Sequence, residues 1–240
     1  ERLRRMPEVT MHPTLYNAPL VYNLDESSVA MADIYGEYIV AAGMAGLPML
    51  MTSPSWRADP ERIAQALPPV PDSINTDAVD YMVKVRERFW NKENPPVLIG
   101  ALVGPKNDCY QPNLAPKADE AEKFHAPQIN EIASSKADFL LALTLPSVDE
   151  ALGIARAMSA TGRDYVISFC VGIDGHVLDG NSLPEAFEMI DNGPRITAPP
   201  TAYFVNCSHP SFILNRYKSG ELGRLTGIQA NGSSLDVTSL

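Results

Sequence analysis

The residues best suited to chemistry stand at the end of the run Tyr203-Phe204-Val205-Asn206-Cys207-Ser208-His209-Pro210. Aromatic and β-branched residues that stop at Asn-Cys, with a proline soon after, read as a buried strand emerging into a loop. In parallel α/β folds the carboxyl ends of the strands face a common mouth, so a thiol placed there can meet a metal or a substrate. The competing reading is a packing thiol, because free cysteine is among the most buried residue types. Asn206 presents an amide that either orients a ligand or ties the loop. His209 either caps the next helix or extends a metal or substrate site. Of the other cysteines, Cys170 ends a second apolar run and reads as core, while Cys109 lies in a Pro/Asn-rich loop and reads as an exposed bystander. The serines show no His/Asp arrangement of a hydrolase.

The elements that must position these residues follow a repeating pattern. Residues 6–25 hold several prolines and asparagines and read as a surface loop. Asp25 or Ser27 then caps a helix over residues 28–42, where Val29, Ala32, Ile34, Tyr38, Ile39 and Ala42 keep near-helical spacing and Gly43 or Gly46 supplies the stop. A short apolar run over 47–53 reads as a buried parallel strand closed by Ser53-Pro54. The unit recurs: a helix over 73–90 before a strand over 97–103, a helix over 117–135 before a strand over 137–144, and a helix over 149–158 before a strand over 164–170. Helix 183–191 precedes the strand ending at Cys207, and helix 209–217 precedes a strand over 225–231. Trp56 and Arg57 follow the first of these strands, as a closing flap or a packing lid. His176 and Asp179 fall in the polar loop after residue 170, where solvated side chains are the simpler reading.

Six strands alternating with helices predict parallel βα units in one domain over residues 1–240. The expected fold is a (β/α)8 TIM barrel with its first and last strands missing, since the chain opens at Glu1-Arg2-Leu3 and stops at Ser239-Leu240 without a closing element. A doubly wound open sheet is the alternative, and it lacks the Gly-rich phosphate turn such a sheet favours. Composition narrows the partners. A net charge of −10, from 29 acidic against 19 basic residues, disfavours nucleic acid and anionic membrane surfaces. No apolar run reaches membrane-spanning length. Three scattered cysteines make no disulfide framework, so a reducing cytoplasm is the expected compartment. Small-molecule partners remain, and a homo-oligomer is left open.

The ordered landmarks resemble the homocysteine S-methyltransferase (homocysteine-binding domain) family of zinc-dependent barrels. Arg2-Leu3-Arg4-Arg5 is similar to the segment after that family's first strand. Tyr38-Ile39-Val40-Ala41-Ala42-Gly43 followed by Leu50-Met51-Thr52-Ser53 resembles its second helix and strand, and Gly104-Pro105 its strand-three turn. Ile167-Ser168-Phe169, with Asp174-Gly175-His176-Val177-Leu178-Asp179-Gly180 after it, resembles strand five and its loop. Val205-Asn206-Cys207 is similar to the family's Val-Asn-Cys motif, and Gln229-Ala230-Asn231 to its strand-seven end. The likeness runs over nearly the whole chain.

The resemblance implies an S-methyltransferase of methionine biosynthesis, moving a methyl group from a sulfonium or ammonium donor to a thiol such as homocysteine. It implies zinc held by three cysteines, the first being Cys207, and substrate contacts from Asn206, Ser53 and Thr144. Thiolates select zinc and leave a position for a substrate thiol, which the metal deprotonates at neutral pH. The family's other two ligands form a Gly-Gly-Cys-Cys motif that this sequence does not contain. Two further departures stand out: Leu143 where the family carries an acidic residue, and Ser53 where it often has asparagine. A non-catalytic or metal-free relative that binds a small metabolite is the alternative.

Overall fold

The computed structural model describes residues 2–7, 9–22, 26–218 and 220–235. They group into two compact units. The first comprises Glu1–Val103 and Glu131–Phe139, and the second Gly104–Asn130 and Leu140–Leu240.

In the first unit, helix α1 (Glu26–Met44) leads to strand β1 (Met49–Thr52), a short helix α2 (Pro60–Ala64), helix α3 (Ile74–Phe89) and strand β2 (Val97–Val103). Strands β1 and β2 pair parallel, Met51 opposite Ile99. Of the two expected caps of α1, Asp25 lies outside the described residues and Ser27 is already helical. The helix stops as the glycines foretell: Gly46 takes φ +66°, its N–H reaches Gly43 and that of Leu47 reaches Ala42. This pair of bonds satisfies the last carbonyls of the helix, and the left-handed residue between them favours glycine. The buried stripe of α1 is Met31, Ala32, Gly36 and Ile39, while Val29 and Tyr38 face outward.

The expectation of a surface loop before α1 is corrected. Leu15, Ala18 and Leu20 are buried: Leu15 and Ala18 pack with Ala58, Ala66 and Ile74, and Leu20 with Val9 and Met31. The prolines leave only short 3-10 turns, Leu3–Arg5 and Ala18–Tyr22, without preventing burial, because apolar side chains between them still gain from leaving water. Trp56 stacks on Tyr16, and Arg57 lies over both rings. The aromatic after β1 therefore packs against its own unit.

In the second unit, helix α4 (Ala118–Ala133, shared with the first unit), strand β3 (Phe139–Leu145), helix α5 (Val148–Ala160), strand β4 (Tyr165–Phe169), helix α6 (Leu183–Asp191), strand β5 (Ala202–Asn206), helix α7 (Pro210–Leu214) and strand β6 (Leu225–Gln229) alternate. Strands β3 to β6 pair parallel in chain order. Six parallel strands alternating with helices are thus present among the described residues, the α/β repeat that the sequence predicts. Ser147 caps α5 and Ser182 caps α6 in a full capping box with Glu185. His209 caps α7 by accepting from the Ser211 N–H, the simpler of its two expected roles. Helix α7 ends at Leu214, short of the expected 217. Between β4 and β5, Phe169 and Phe187 stack on Tyr203, whose hydroxyl donates to Asp191, itself gripped through both oxygens by Arg224.

Helices α4 and α5 meet at Gly153. A Cβ there would lie 2.4 Å from the Ala118 carbonyl oxygen and 2.5 Å from the Ala121 Cβ. Helix propensity favours alanine over glycine by about 1 kcal/mol, yet the nearest obstacle is backbone of a packed helix, which cannot step aside. We therefore expect Gly153→Ala to destabilise the fold by roughly 1–3 kcal/mol, read as a lower midpoint in urea unfolding; a raised midpoint would refute the close approach.

Candidate functional site

The strands of the second unit carry their chemistry at their carboxyl ends. Register pairs Phe169 of β4 with Val205 of β5, so the residues that follow, Cys170 on one side and Asn206-Cys207 on the other, emerge side by side. The turn after β5 is tied to both neighbours. The Ser208 hydroxyl accepts from the Val171 N–H at 2.9 Å and lies 3.0 Å from the Val171 carbonyl. On the other side, the Cys207 N–H reaches the Gln229 carbonyl and the Asn231 N–H the Ser208 carbonyl. Held in this way, Cys207 adopts φ +54°, a left-handed conformation that costs a non-glycine residue on the order of 1 kcal/mol or more.

A second left-handed residue faces it. Near the end of β3 the register slips: Ala142 pairs with Ile167 but Leu145 with Phe169, which leaves one extra residue on β3. Such a bulge re-aims the chain. Here Thr144, at φ +64°, turns its N–H onto the Asn206 Oδ1 at 2.9 Å. The Ser168 hydroxyl donates to the same oxygen at 2.7 Å. Because a backbone N–H can only donate, Oδ1 must be the atom facing Thr144, and the amide's Nδ2 must face the other way. That nitrogen lies 3.3 Å from the Cys207 Sγ. Asn206 is 2% exposed, so these bonds are made out of water, where an unmade one would be expensive.

The three cysteines of the chain converge here. Cys170, 1% exposed, is in hydrogen-bonding contact with both Cys109 and Cys207. Its bonds to Cys109 and Cys207, followed by burial, hold its thiol protonated well above the ordinary range. Cys207 is shifted the opposite way, down to about 7: the Cys170 thiol donates to it, burial opposes, and the Asn206 amide adds a second donor. The Tyr110 phenol sits beside the cluster, pushed up by burial and then by the charge of the Cys207 thiolate. Cys109 is therefore buried rather than an exposed bystander. Cys170 is core, as expected, but its sulfur also tunes the candidate ligand.

The structure thus brings Cys207, Asn206 and Thr144 together, along with Ser168, Ser208, Cys109, Cys170 and Tyr110, which sequence reasoning did not join to them. Ser168 was visible within Ile167-Ser168-Phe169, and only the inter-strand register shows what it does. Ser53 lies in the first unit, at the carboxyl end of β1. Its hydroxyl is fully buried, accepting from the Leu102 N–H at 2.9 Å and 2.7 Å from the Ser55 hydroxyl, which donates to the Leu102 carbonyl. Leu143 is half-buried. His176 pairs with Asp174 and lines a cavity of about 290 Å³ with Gly172, Ile173 and Leu178. Asp179 accepts from the Val148 N–H at 2.6 Å, helping to close the first turn of α5.

As a metal donor set, these residues fit in part. Cys207 is a half-buried thiolate near neutrality, the form a soft metal binds. Among the described residues no group of three or more His, Cys, Asp or Glu is arranged to hold a metal ion. No helix among them is long and apolar enough to cross a membrane.

A sequence profile described as homocysteine S-methyltransferase matches residues 3–234. The chain belongs to the homocysteine S-methyltransferase family. Membership makes it a methyltransferase. Its fold is that of crystal structures of the homocysteine methyltransferase MmuM from Escherichia coli. The oxidised form aligns with TM-score 0.69 at 19% identity, covering 84% of this chain and 69% of that one. The metallated form aligns with TM-score 0.65 at 20% identity, covering 91% and 89%, and the apo form with 0.59 at 18%, covering 88% and 86%. No curated protein matches the chain at a significant level.

Asn206 offers a sharp test of this candidate site. Asn206→Asp keeps an oxygen for Thr144 and Ser168 but replaces the N–H facing Cys207 with a second oxygen. The thiolate loses a donor and gains a negative neighbour, so its pKa must rise from about 7. In metal-stripped protein, Cys207 alkylation by iodoacetamide should reach half its maximal rate near pH 7 in the native chain and at clearly higher pH in the variant. Asn206→Ala strands the Thr144 N–H and Ser168 hydroxyl and should also lose about 2–4 kcal/mol of unfolding free energy. An unmoved alkylation profile in Asn206→Asp would remove the amide from the site.

Proposed function

We propose that this chain is a zinc-dependent S-methyltransferase that moves a methyl group from a sulfonium or ammonium donor to a thiol such as homocysteine. The observation that carries the reading is Cys207, a strained, half-buried thiol at a strand's carboxyl end, which two donors hold near its titration point. We take it as one zinc ligand, with Asn206 orienting it and the remaining ligands coming from outside the described residues. Zinc so bound would deprotonate the acceptor thiol at neutral pH and leave it nucleophilic.

The chain's own residues do the rest. Asn206, Thr144 and Ser53, at the ends of β5, β3 and β1, are the substrate-binding positions of this reading. Leu143 offers no carboxylate to an amino-acid ammonium, a contact worth roughly 1.5–3 kcal/mol when buried, so the acceptor is assigned as a thiol and homocysteine as one member of that class. The same reading makes residues 1–240 a single homocysteine-binding-like domain, a (β/α)8 barrel without its first and last strands. It places the protein in methionine biosynthesis in the cytoplasm, acting on small molecules rather than nucleic acid or membrane, with a homo-oligomer left open.

The second reading, a metal-free relative that binds a small metabolite, is favoured by the lack of a three-donor group among the described residues. Metal content separates the two. The zinc reading expects about one zinc per purified chain, lost in Cys207→Ser together with methyl transfer from sulfonium and quaternary ammonium donors tested in parallel. A zinc-free protein that transfers no methyl group would favour the alternative, and zinc retained in Cys207→Ser would remove Cys207 from the metal site.

A further inference from the structure

Leu143 leaves the second unit without the carboxylate that the family carries for a substrate cation. The loop between β4 and α6 offers another. Its two acids differ in what they already hold. Asp179 is spent on structure, accepting from the Val148 N–H at 2.6 Å and from the Asn181 N–H and Nδ2. Asp174, exposed, bonds within its own turn: Oδ1 accepts from the His176 N–H at 3.1 Å, and Oδ2 lies 3.1 Å from the His176 Nδ1. A carboxylate has about four acceptor sites, so the group keeps room for a ligand. Because it only accepts, the His176 Nδ1 carries a proton, while Nε2 faces the Arg216 guanidinium at 3.4 Å. Burial opposes ionisation of Asp174, but the His176 N–H and ring outweigh it and hold the carboxyl below the usual range.

Asp174 and His176 line a cavity of about 290 Å³, close to the lower end, about 300 Å³, of small-molecule sites. Ile173, Val177 and Leu178 give it apolar walls. Gly172 keeps it open, since a Cβ there would lie 3.1 Å from the Asp174 Oδ1 and 3.7 Å from the Leu178 Cδ2. The loop is fixed in place. Val171 bridges to Val177, the Gly172 N–H reaches the His176 carbonyl, and the Tyr217 hydroxyl donates to the Gly175 carbonyl. Val171 is also gripped through its N–H and carbonyl by the hydroxyl of Ser208, the residue after Cys207. The cavity therefore begins beside the candidate ligand. We propose that Asp174 receives the cationic centre of a substrate in this cavity, in place of the acid absent at Leu143. The inference rests on the methyltransferase reading for the ligand's chemistry, because homocysteine and an onium donor both carry a cation. An ammonium donates to the carboxylate oxygens. A quaternary ammonium has no N–H and meets the carboxylate by charge, its methyl groups against the apolar walls.

The test is isothermal titration calorimetry of the full purified chain with three probes: L-methionine, which has an ammonium; glycine betaine, which has a quaternary ammonium; and 3-(methylthio)propionate, which has no cation. Asp174→Asn keeps an oxygen for the His176 N–H and removes the charge. The expected result is that at least one cationic probe binds and loses about three- to tenfold in affinity in Asp174→Asn, while 3-(methylthio)propionate is not weakened by the substitution. A loss confined to methionine assigns the site to the acceptor's ammonium, one confined to betaine assigns it to the donor's onium group, and a loss for both makes it a site for either cation. Failure of both cationic probes to bind, unchanged affinities in Asp174→Asn, or an equal loss for 3-(methylthio)propionate would overturn the proposal. Gly172→Ala is an independent check: narrowing the cavity should weaken the same cationic probe, and an unchanged affinity would put the ligand elsewhere and overturn it too. Binding is read without methyl transfer or zinc. A chain that holds zinc and transfers methyl groups but ignores Asp174→Asn therefore sinks only this inference, and one that binds the probes through Asp174 with neither zinc nor methyl transfer sinks only the methyltransferase reading.

Discussion

The backbone N–H of Thr144 has only one thing it can do, which is donate, and the candidate site depends on that. It fixes the Asn206 carboxamide with Oδ1 toward β3 and β4 and Nδ2 toward the Cys207 sulfur. Were the amide reversed, Thr144 and Ser168 would face a donor, and Cys207 an oxygen that repels a thiolate. One side-chain orientation therefore ties three strand ends together and adds a donor to the sulfur beside the larger effect of the Cys170 thiol. A donor aimed at a thiolate in a dry setting stabilises the charged form more than it would in water.

Two residues hold sparsely populated backbone conformations to make this possible. Thr144 takes its positive φ within a one-residue bulge of β3, and Cys207 within a turn bracketed by Val171, Gln229 and Asn231. A β-branched residue in the left-handed region is uncommon and persists only where the surroundings over-determine it. The surroundings do so here: Asn206, Ser168 and Ser208 are all buried and fully engaged. The strain sits at the strand ends, while the capped helices and the Phe169–Tyr203–Phe187 stack that carry them are regular.

The cysteines divide the labour by environment. Cys170 is buried between two other thiols and stays protonated; Cys207, half-open and facing two donors, is held near the ionised form. Two identical side chains thus differ in protonation because burial and hydrogen bonding push them apart, the same logic by which paired carboxylates take different roles.

The sequence by itself determined the repeat of parallel βα units, the strand that delivers Asn206-Cys207, and the family, because each is written in local periodicity and in short motifs kept in order along the chain. Glycine and proline marked most boundaries for the same local reason, as Gly46 does at the end of α1. What only the tertiary structure decided is non-local. The bulge at Leu143-Thr144 is invisible in an apolar run, since it is defined by what the partner strand pairs with. The burial of Leu15, Ala18 and Leu20 in a proline-broken segment depends on partners as distant as Ile74. The meeting of Cys109, Cys170 and Cys207 joins a loop and two strand ends well separated in sequence. Spacing along the chain carries no information about such contacts, because the fold, not the covalent order, sets which strand ends are neighbours.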